Sequence, residues 1–150
     1  LLVKGIIVPF RSPKSAHAYQ SIWTKEGSPL LVNTYELQKA LQQVVPEVVE
    51  VCMRYGAPHP AKAFEILQLK VPDLEEVILF PLYPHYAMSS YETAVEYAQK
   101  IHAENKYPFK LTIVPPYFEN KIYVDALASS IQPYLQQDFD KLILKKILLI

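Results

Sequence analysis

The stretch EVILFPLY, residues 76–83, is almost wholly apolar and decides the fold class. It has the length of a strand, and it lacks the alternation of a strand with one face in water. Such strands are typical of parallel sheets that are covered on both faces. The sequence therefore predicts a buried strand over 76–83.

Helical and strand patterns alternate on both sides of this stretch. Further strands are predicted over 48–55 and 109–114 and from Leu142 onward. Helices are predicted over 60–69, from Ser89 to about Ala103 and from Asn120 to about Leu135, with a bend at Pro133, and a short one over 13–23. The order β-α-β-α-β-α-β predicts an α/β fold with a parallel, doubly wound, Rossmann-like sheet. We expect one domain over residues 1–150.

Three predicted helices carry start signals or apolar stripes, and one of them is a further helix that begins at Ser28 and Pro29. Ser28 and Pro29 suit the N-cap and the first position of a helix, and Ser89 and Glu92 match a capping box. The helix from Ser28 should bury a stripe formed by Leu30, Thr34, Leu37, Leu41 and Val44. The helix over 60–69 should bury Ala61, Phe64 and Leu67.

Composition restricts the class of protein. The 150 residues are 51% hydrophobic and 20% charged with no net charge, which indicates a globular chain and argues against binding to nucleic acid. Cys52 is the single cysteine, so an internal disulfide is impossible and a cytoplasmic location is expected. No apolar run reaches the roughly 18 residues of a membrane span. Because Leu1 and Ile150 both lie in apolar runs, we expect the chain to be a fragment.

Aromatic residues follow each predicted complete strand. They occur in Arg54-Tyr55, in Tyr83-Pro84-His85-Tyr86 and in Tyr117-Phe118. The carboxyl ends of parallel strands form the ligand crevice of such sheets. With three glycines and no glycine-rich phosphate loop, a nucleotide site is not indicated. Rigid aromatic side chains suit a large, flat, mostly apolar ligand.

Three side chains, those of Arg11, Arg54 and His85, are candidates for ligand binding or catalysis, and a structural role is the alternative. Arg11 and Arg54 are the only arginines, and a guanidinium binds carboxylates bidentately, but Arg54 could equally pair with a structural carboxylate. His85 lies near a predicted helix N-terminus, which favours a neutral imidazole able to ligate a metal or accept a proton. It could instead hydrogen-bond a backbone carbonyl. The remaining candidates are predicted to be structural or exposed: Cys52 in the core, His17 and His102 on helix surfaces, and His59 at the same sheet edge.

Four motifs, in order, resemble the ferrochelatases. They are Arg11-Ser12-Pro13-Lys14 with Tyr19, residues 23–30 (WTKEGSPL), residues 53–58 (MRYGAP), and residues 81–86 (PLYPHY) followed by Ser89-Ser90. Each motif alone is weak, but their combination in this order is specific. The similarity continues through residues 138–142 (DFDKL).

The resemblance implies one of the two α/β halves of a chelatase fold, and insertion of ferrous iron into a porphyrin during haem synthesis. Iron and porphyrin would be substrates, and no prosthetic group is implied. The residues implied to bind the macrocycle or its carboxylates are Arg11, Tyr19, Ser28, Arg54, Tyr55, Tyr83 and Tyr86. His85 would lie beside the ring as a supporting catalytic residue or metal ligand. The choice between protoporphyrin IX and coproporphyrin III stays open, as does a peripheral membrane contact of the parent enzyme.

The sequence also departs from the family pattern. The family's first strand lies before Leu1, and its principal catalytic histidine follows the position of Leu142, where this chain reads ILKKILLI over 143–150. The C-terminal half, with the catalytic glutamate, is missing. We therefore expect no turnover by this chain alone. Two alternatives remain: a porphyrin-binding domain without catalysis, and a chelatase for another tetrapyrrole or metal, such as cobalt.

Overall fold

The computed structural model describes Ala16 and residues 20–135. These residues fall into two compact units that divide between Leu74 and Glu75. The first unit contains helices α1 (Pro29–Gln42) and α2 (Pro60–Lys70). The second contains strand β1 (Glu76–Leu79), a π-helical turn (Met88–Glu92), helix α3 (Thr93–Glu104), strand β2 (Lys110–Ile113) and helix α4 (Lys121–Leu135). The strand predicted from Leu142 and most of the helix predicted over 13–23 lie outside the described residues.

The two strands of the second unit pair in parallel. The register runs from Glu76 opposite Lys110 to Leu79 opposite Ile113, and α3 connects the strands. This confirms the predicted parallel β-α-β arrangement. Both strands are shorter than predicted. Pro81 follows β1 and Pro115 follows β2, and prolines cannot donate to a ladder.

The strand predicted over 48–55 is wrong. At Val49, side chains of α1 take the hydrogen bonds that a neighbouring strand would make. The N–H of Val49 donates to Oε1 of Gln42 at 2.9 Å, and its carbonyl accepts from Nε2 of Gln38 at 2.6 Å. The N–H of Met53 donates to the Pro58 carbonyl at 2.7 Å and closes a turn. The apolar pattern of this segment therefore reflects burial, complete at Val51 and partial at Val48 and Val49, and not ladder pairing.

Helix α1 begins where the sequence predicts, with Ser28 at the N-cap and Pro29 in the first turn. The Ser28 side chain makes no capping hydrogen bond, and no residue of α1 is buried. Leu30 is 68% exposed and Val44 is 77% exposed, so the predicted buried stripe is wrong. The spacing of apolar residues indicates a helix face that is suited to packing. Burial also requires another element that packs on this face, and no such element covers it among the described residues.

Helix α2 supplies much of the core of the first unit. It buries Pro60, Ala63, Phe64 and Leu67, while Ala61 is half-buried. The prediction is thus confirmed for Phe64 and Leu67. The core of the second unit is formed by Val77, Ala98 and Phe109.

The start of α3 differs from the predicted capping box. The carbonyl of Ala87 accepts from the N–H groups of Ser90 and Glu92, both at 3.2 Å, which forms the π-helical turn before α3. No side-chain capping bond is made at this turn, so Ser89 and Glu92 do not cap each other. The end of α3 at Glu104 agrees with the prediction.

Helix α4 matches its predicted range, and Oδ1 of Asn120 accepts from the N–H of Ile122 at 3.0 Å in its first turn. Pro133 lies inside the helix, and the predicted bend there stays a prediction.

The prediction that His102 is an exposed helical residue is wrong. It is half-buried, and its Nε2 lies 2.8 Å from the carbonyl oxygen of Phe109. Its ring also contacts that of Phe109 edge-on, with centroids 5.0 Å apart. The residue therefore joins the end of α3 to the start of β2.

Candidate aromatic binding edge

The loops that follow β1 and β2 lie at the same edge of the parallel pair. The carbonyl of Pro84, in the first loop, accepts from the N–H groups of Tyr117 at 2.9 Å and Phe118 at 3.0 Å, in the second. Two backbone hydrogen bonds on one acceptor hold the loops together. Between them the loops present six ring-bearing residues, which we call the aromatic edge: Phe80, Tyr83, His85, Tyr86, Tyr117 and Phe118.

Contacts between rings set the relative positions of several side chains in the aromatic edge. The imidazole of His85 stacks on Phe118, with centroids 5.2 Å apart and planes inclined by 22°. Tyr117 lies between Phe80, at 5.1 Å, and Tyr123 of α4, at 5.2 Å. Burial, with a smaller effect of Tyr123, raises the pKa of the Tyr117 phenol, which stays neutral at physiological pH. The side chains of Tyr83, His85 and Tyr86 remain exposed.

Tyr86 is connected to the π-helical turn. The Glu92 carboxylate, acting on the Tyr86 hydroxyl, is the main reason why the pKa of Tyr86 lies above its ordinary value. The ring of Tyr91 lies 6.1 Å from that of Tyr86. The Tyr91 hydroxyl donates to the carbonyl of Val114 at 2.9 Å, which links the turn to the end of β2. Sequence reasoning missed this link through Tyr91, since the pattern of Ser89 and Glu92 suggested a capping box and not a π-helical turn.

The first unit presents Arg54 and Tyr55 on a tight turn. The guanidinium of Arg54 lies over the ring of Tyr55, 4.6 Å from its centroid, a cation–π contact. The turn contains a cis peptide bond between Ala57 and Pro58. Gly56 has a φ of +79°, a conformation that glycine adopts without strain. Tyr55 is 73% exposed, so much of the residue is open to solvent although Arg54 lies over its ring.

The other predicted site residues are placed as follows. Ser28 is half-buried at the start of α1, and His59 is exposed at the start of α2. Cys52 is half-buried and burial raises the pKa of its thiol, as suits a partly packed residue. Arg11, Tyr19 and His17 lie outside the described residues.

Ala16 and residues 20–135 contain no group of three or more His, Cys, Asp or Glu side chains that could hold a metal ion. Within the same residues, no helix has the length and apolarity needed to cross a membrane.

Comparison with known proteins gives a consistent result. The ferrochelatase family model matches residues 1–149. The chain is 41% identical over 145 residues to a ferrochelatase of Pseudomonas putida, an overlap of 96% of this chain and 42% of the relative. It is 42% identical over 142 residues to a ferrochelatase of Opitutus terrae, an overlap of 93% of this chain and 41% of the relative.

A ferrochelatase of Pseudomonas entomophila is 43% identical over 145 residues, covering 96% of this chain and 42% of the relative. The chain thus spans about 42% of the length of the curated relatives that it matches. No solved structure matches this one. With the family model matched over residues 1–149, the chain belongs to the ferrochelatase family.

Proposed function

We propose that this chain is part of an enzyme that inserts ferrous iron into a porphyrin, the step that forms haem. Membership of the ferrochelatase family supports the reaction. The observation that carries the binding role is the aromatic edge, where two loops joined through the Pro84 carbonyl expose several rings. A porphyrin is a large, flat ligand, and fixed aromatic walls bind such ligands with little loss of side-chain entropy.

The aromatic edge would contact the macrocycle face through Tyr83 and Tyr86. Both residues are exposed, at 38% and 56%, and both lie in the loop after β1. His85 would lie beside the ring, where an imidazole can ligate the incoming metal or accept a pyrrole proton. Metal insertion releases two pyrrole protons, so a base near the ring is a chemical requirement.

Arg54 would bind a porphyrin carboxylate. Its planar guanidinium offers two parallel N–H donors to a carboxylate, and the Tyr55 ring beneath it limits its orientations. We assign Tyr55 to the same contact. Arg11, Tyr19 and Ser28 are proposed as further porphyrin contacts on the family resemblance.

The finer points of fold and location are also proposals. We infer a doubly wound, Rossmann-like half of the chelatase fold, because the one described β-α-β connection is parallel. A cytoplasmic location fits the single cysteine.

Porphyrin binding can be tested on the chain as it stands. Titration with protoporphyrin IX should shift the Soret band and quench tyrosine fluorescence. Arg54→Ala should weaken binding by about tenfold or more, the scale of a hydrogen bond to a charged group. Lys62→Ala, which removes an exposed cation from α2, should leave the affinity unchanged. Equal affinities of the two variants would show that Arg54 does not bind a porphyrin carboxylate.

The reaction itself needs a second experiment. The chain alone should not metallate the porphyrin, whereas a chain extended to the length of its relatives should do so with ferrous or zinc ion. The visible bands of the porphyrin report the product directly. If the extended protein bound porphyrin and left its spectrum unchanged with both metals, the protein would be a porphyrin carrier and not an enzyme.

A further inference from the structure

The backbone of Val114 joins the end of the parallel pair to the π-helical turn. Its N–H donates to the carbonyl of Leu79 at 3.0 Å, which continues the hydrogen bonding between the strands beyond Ile113. Its carbonyl accepts from the hydroxyl of Tyr91 at 2.9 Å, and both of these residues are half-buried. Tyr91 is therefore bonded to an atom whose position is set by the sheet.

The local backbone also restrains Tyr91. The carbonyl of Ala87 accepts from the N–H of Glu92, whereas in a regular α-helix it would accept from that of Tyr91. The hydroxyl of Thr93 donates to the carbonyl of Ser90 at 3.2 Å in the same part of the chain. Tyr91 is thus restrained at both ends, by the turn that carries its backbone and by the hydrogen bond at its hydroxyl.

The ring of Tyr91 lies beside that of Tyr86 in the aromatic edge. The centroids are 6.1 Å apart and the planes are inclined by 54°, within the range of attractive aromatic pairs. Tyr86 is 56% exposed, and an exposed side chain samples several rotamers unless a contact favours one. Tyr91 supplies such a contact from a restrained position.

We propose that Tyr91 is a positioning residue: its ring, anchored at the Val114 carbonyl, keeps the ring of Tyr86 in the orientation that receives the porphyrin. Ordering an exposed ring at the moment of binding costs free energy, so ordering it beforehand strengthens binding. Tyr91 acts through Tyr86, because its own hydroxyl is engaged at Val114. The role rests on the proposed function, since the ligand is the porphyrin assigned above.

The affinity of the chain for protoporphyrin IX, measured by Soret titration, tests the role. Tyr91→Phe keeps the ring but removes its anchor, and should weaken binding by about two- to tenfold, the range of one net hydrogen bond. Tyr91→Leu also removes the ring contact and should weaken binding by about two- to tenfold more. Tyr35→Phe is the control: it removes the hydroxyl of a 40% exposed tyrosine on α1 and should leave the affinity unchanged.

A double variant separates this role from a purely structural one. If Tyr91 acts through the ring of Tyr86, adding Tyr91→Phe to Tyr86→Leu should produce no further loss of affinity. A further loss in the double variant would overturn the proposal. Thermal unfolding followed by circular dichroism identifies a temperature at which all the variants are folded, and the affinities are compared there.

The orientation of Tyr86 can be measured without porphyrin. In a chain with ¹³C-labelled tyrosine rings, the NMR signals that disappear in Tyr86→Leu identify Tyr86. These signals should shift in Tyr91→Leu, which removes the neighbouring ring, and also in Tyr91→Phe, which releases it. Unchanged Tyr86 signals in both variants would overturn the positioning role alone. Failure of the unmodified chain to bind porphyrin would instead overturn the proposed function, and the role in binding with it.

Discussion

The imidazole of His85 lies against the ring of Phe118, with centroids 5.2 Å apart and planes inclined by 22°. The two residues belong to different loops, one after each strand of the parallel pair. The loops meet through backbone hydrogen bonds at the Pro84 carbonyl. His85 is therefore oriented by a ring contact, although it remains exposed.

Removal of the Phe118 ring should loosen His85 and weaken porphyrin binding. Phe118→Leu keeps an apolar side chain but loses the stack, and an aromatic pair contributes about 0.5–1.5 kcal/mol beyond burial. We expect an affinity for protoporphyrin IX about two- to tenfold lower by Soret titration. Phe118→Tyr keeps the ring and should bind as the unmodified chain does. Equal affinity of Phe118→Leu would show that the stack has no part in binding.

The core of the first unit offers a stability test with a control on the same helix. Phe64 is 2% exposed, so Phe64→Ala should lower the free energy of unfolding by about 3–5 kcal/mol. Leu69, which is 79% exposed, should tolerate alanine within about 0.5 kcal/mol. Urea denaturation measures both. A small effect of Phe64→Ala would contradict the assignment of Phe64 to the core.

The amide of Gln42 should stabilise the segment that follows α1. It donates to the Glu47 carbonyl at 2.8 Å and accepts from the Val49 N–H at 2.9 Å. Gln42→Ala should cost about 1–2 kcal/mol of unfolding free energy, since two hydrogen bonds are lost. Gln43→Ala, on the adjacent exposed residue, is the control. Faster hydrogen exchange of the Val49 amide in Gln42→Ala, but not in Gln43→Ala, would show that the loss of stability arises at this segment. Equal exchange in both variants would refute the stabilising role of Gln42.

Glu76 should make the stability of the second unit depend on pH. The hydrogen bond from Lys110, at 2.8 Å, and that from Thr112 hold the pKa of the Glu76 carboxyl below its ordinary value of 4.5. Because the folded pKa lies below the unfolded one, the contribution is complete above pH 4.5 and is lost as the pH falls through the folded pKa.

Unfolding profiles between neutral pH and pH 3 measure this dependence. Glu76→Gln should flatten the acid part of the profile, whereas Glu75→Gln, which removes the neighbouring charge, should leave its shape unchanged. An unaltered profile in Glu76→Gln would contradict the linkage.

The sequence predicted the second unit better than the first. Around residues 76–114 the local signals and the long-range pairing agree: an apolar run, a helix and a second strand form a parallel β-α-β arrangement. In the segment 48–55 they disagree. β-Branched residues there favour a strand, but the side chains of Gln38 and Gln42 hydrogen-bond the carbonyl and the N–H of Val49. Periodicity cannot reveal such side-chain competition.

The candidate site was predictable in composition and not in geometry. The aromatic residues after each strand can be read directly, and parallel pairing places two of the groups at one edge. The ring contact between Tyr86 and Tyr91 could not be predicted, because it depends on a π-helical turn that has no sequence signature of its own. The contact of Arg54 with Tyr55 joins adjacent residues, yet it requires the turn closed by Met53 and Pro58.

The hydrogen bonds at the Pro84 carbonyl have a consequence for protein engineering. The path of both loops depends there on backbone atoms, so the side chains at positions 83, 85 and 86 can be exchanged while these two bonds remain. A library randomised at those three positions should contain mostly folded members that differ in the shape and polarity of the exposed surface. The same scaffold could then be selected for tetrapyrroles with other peripheral groups or for other metals.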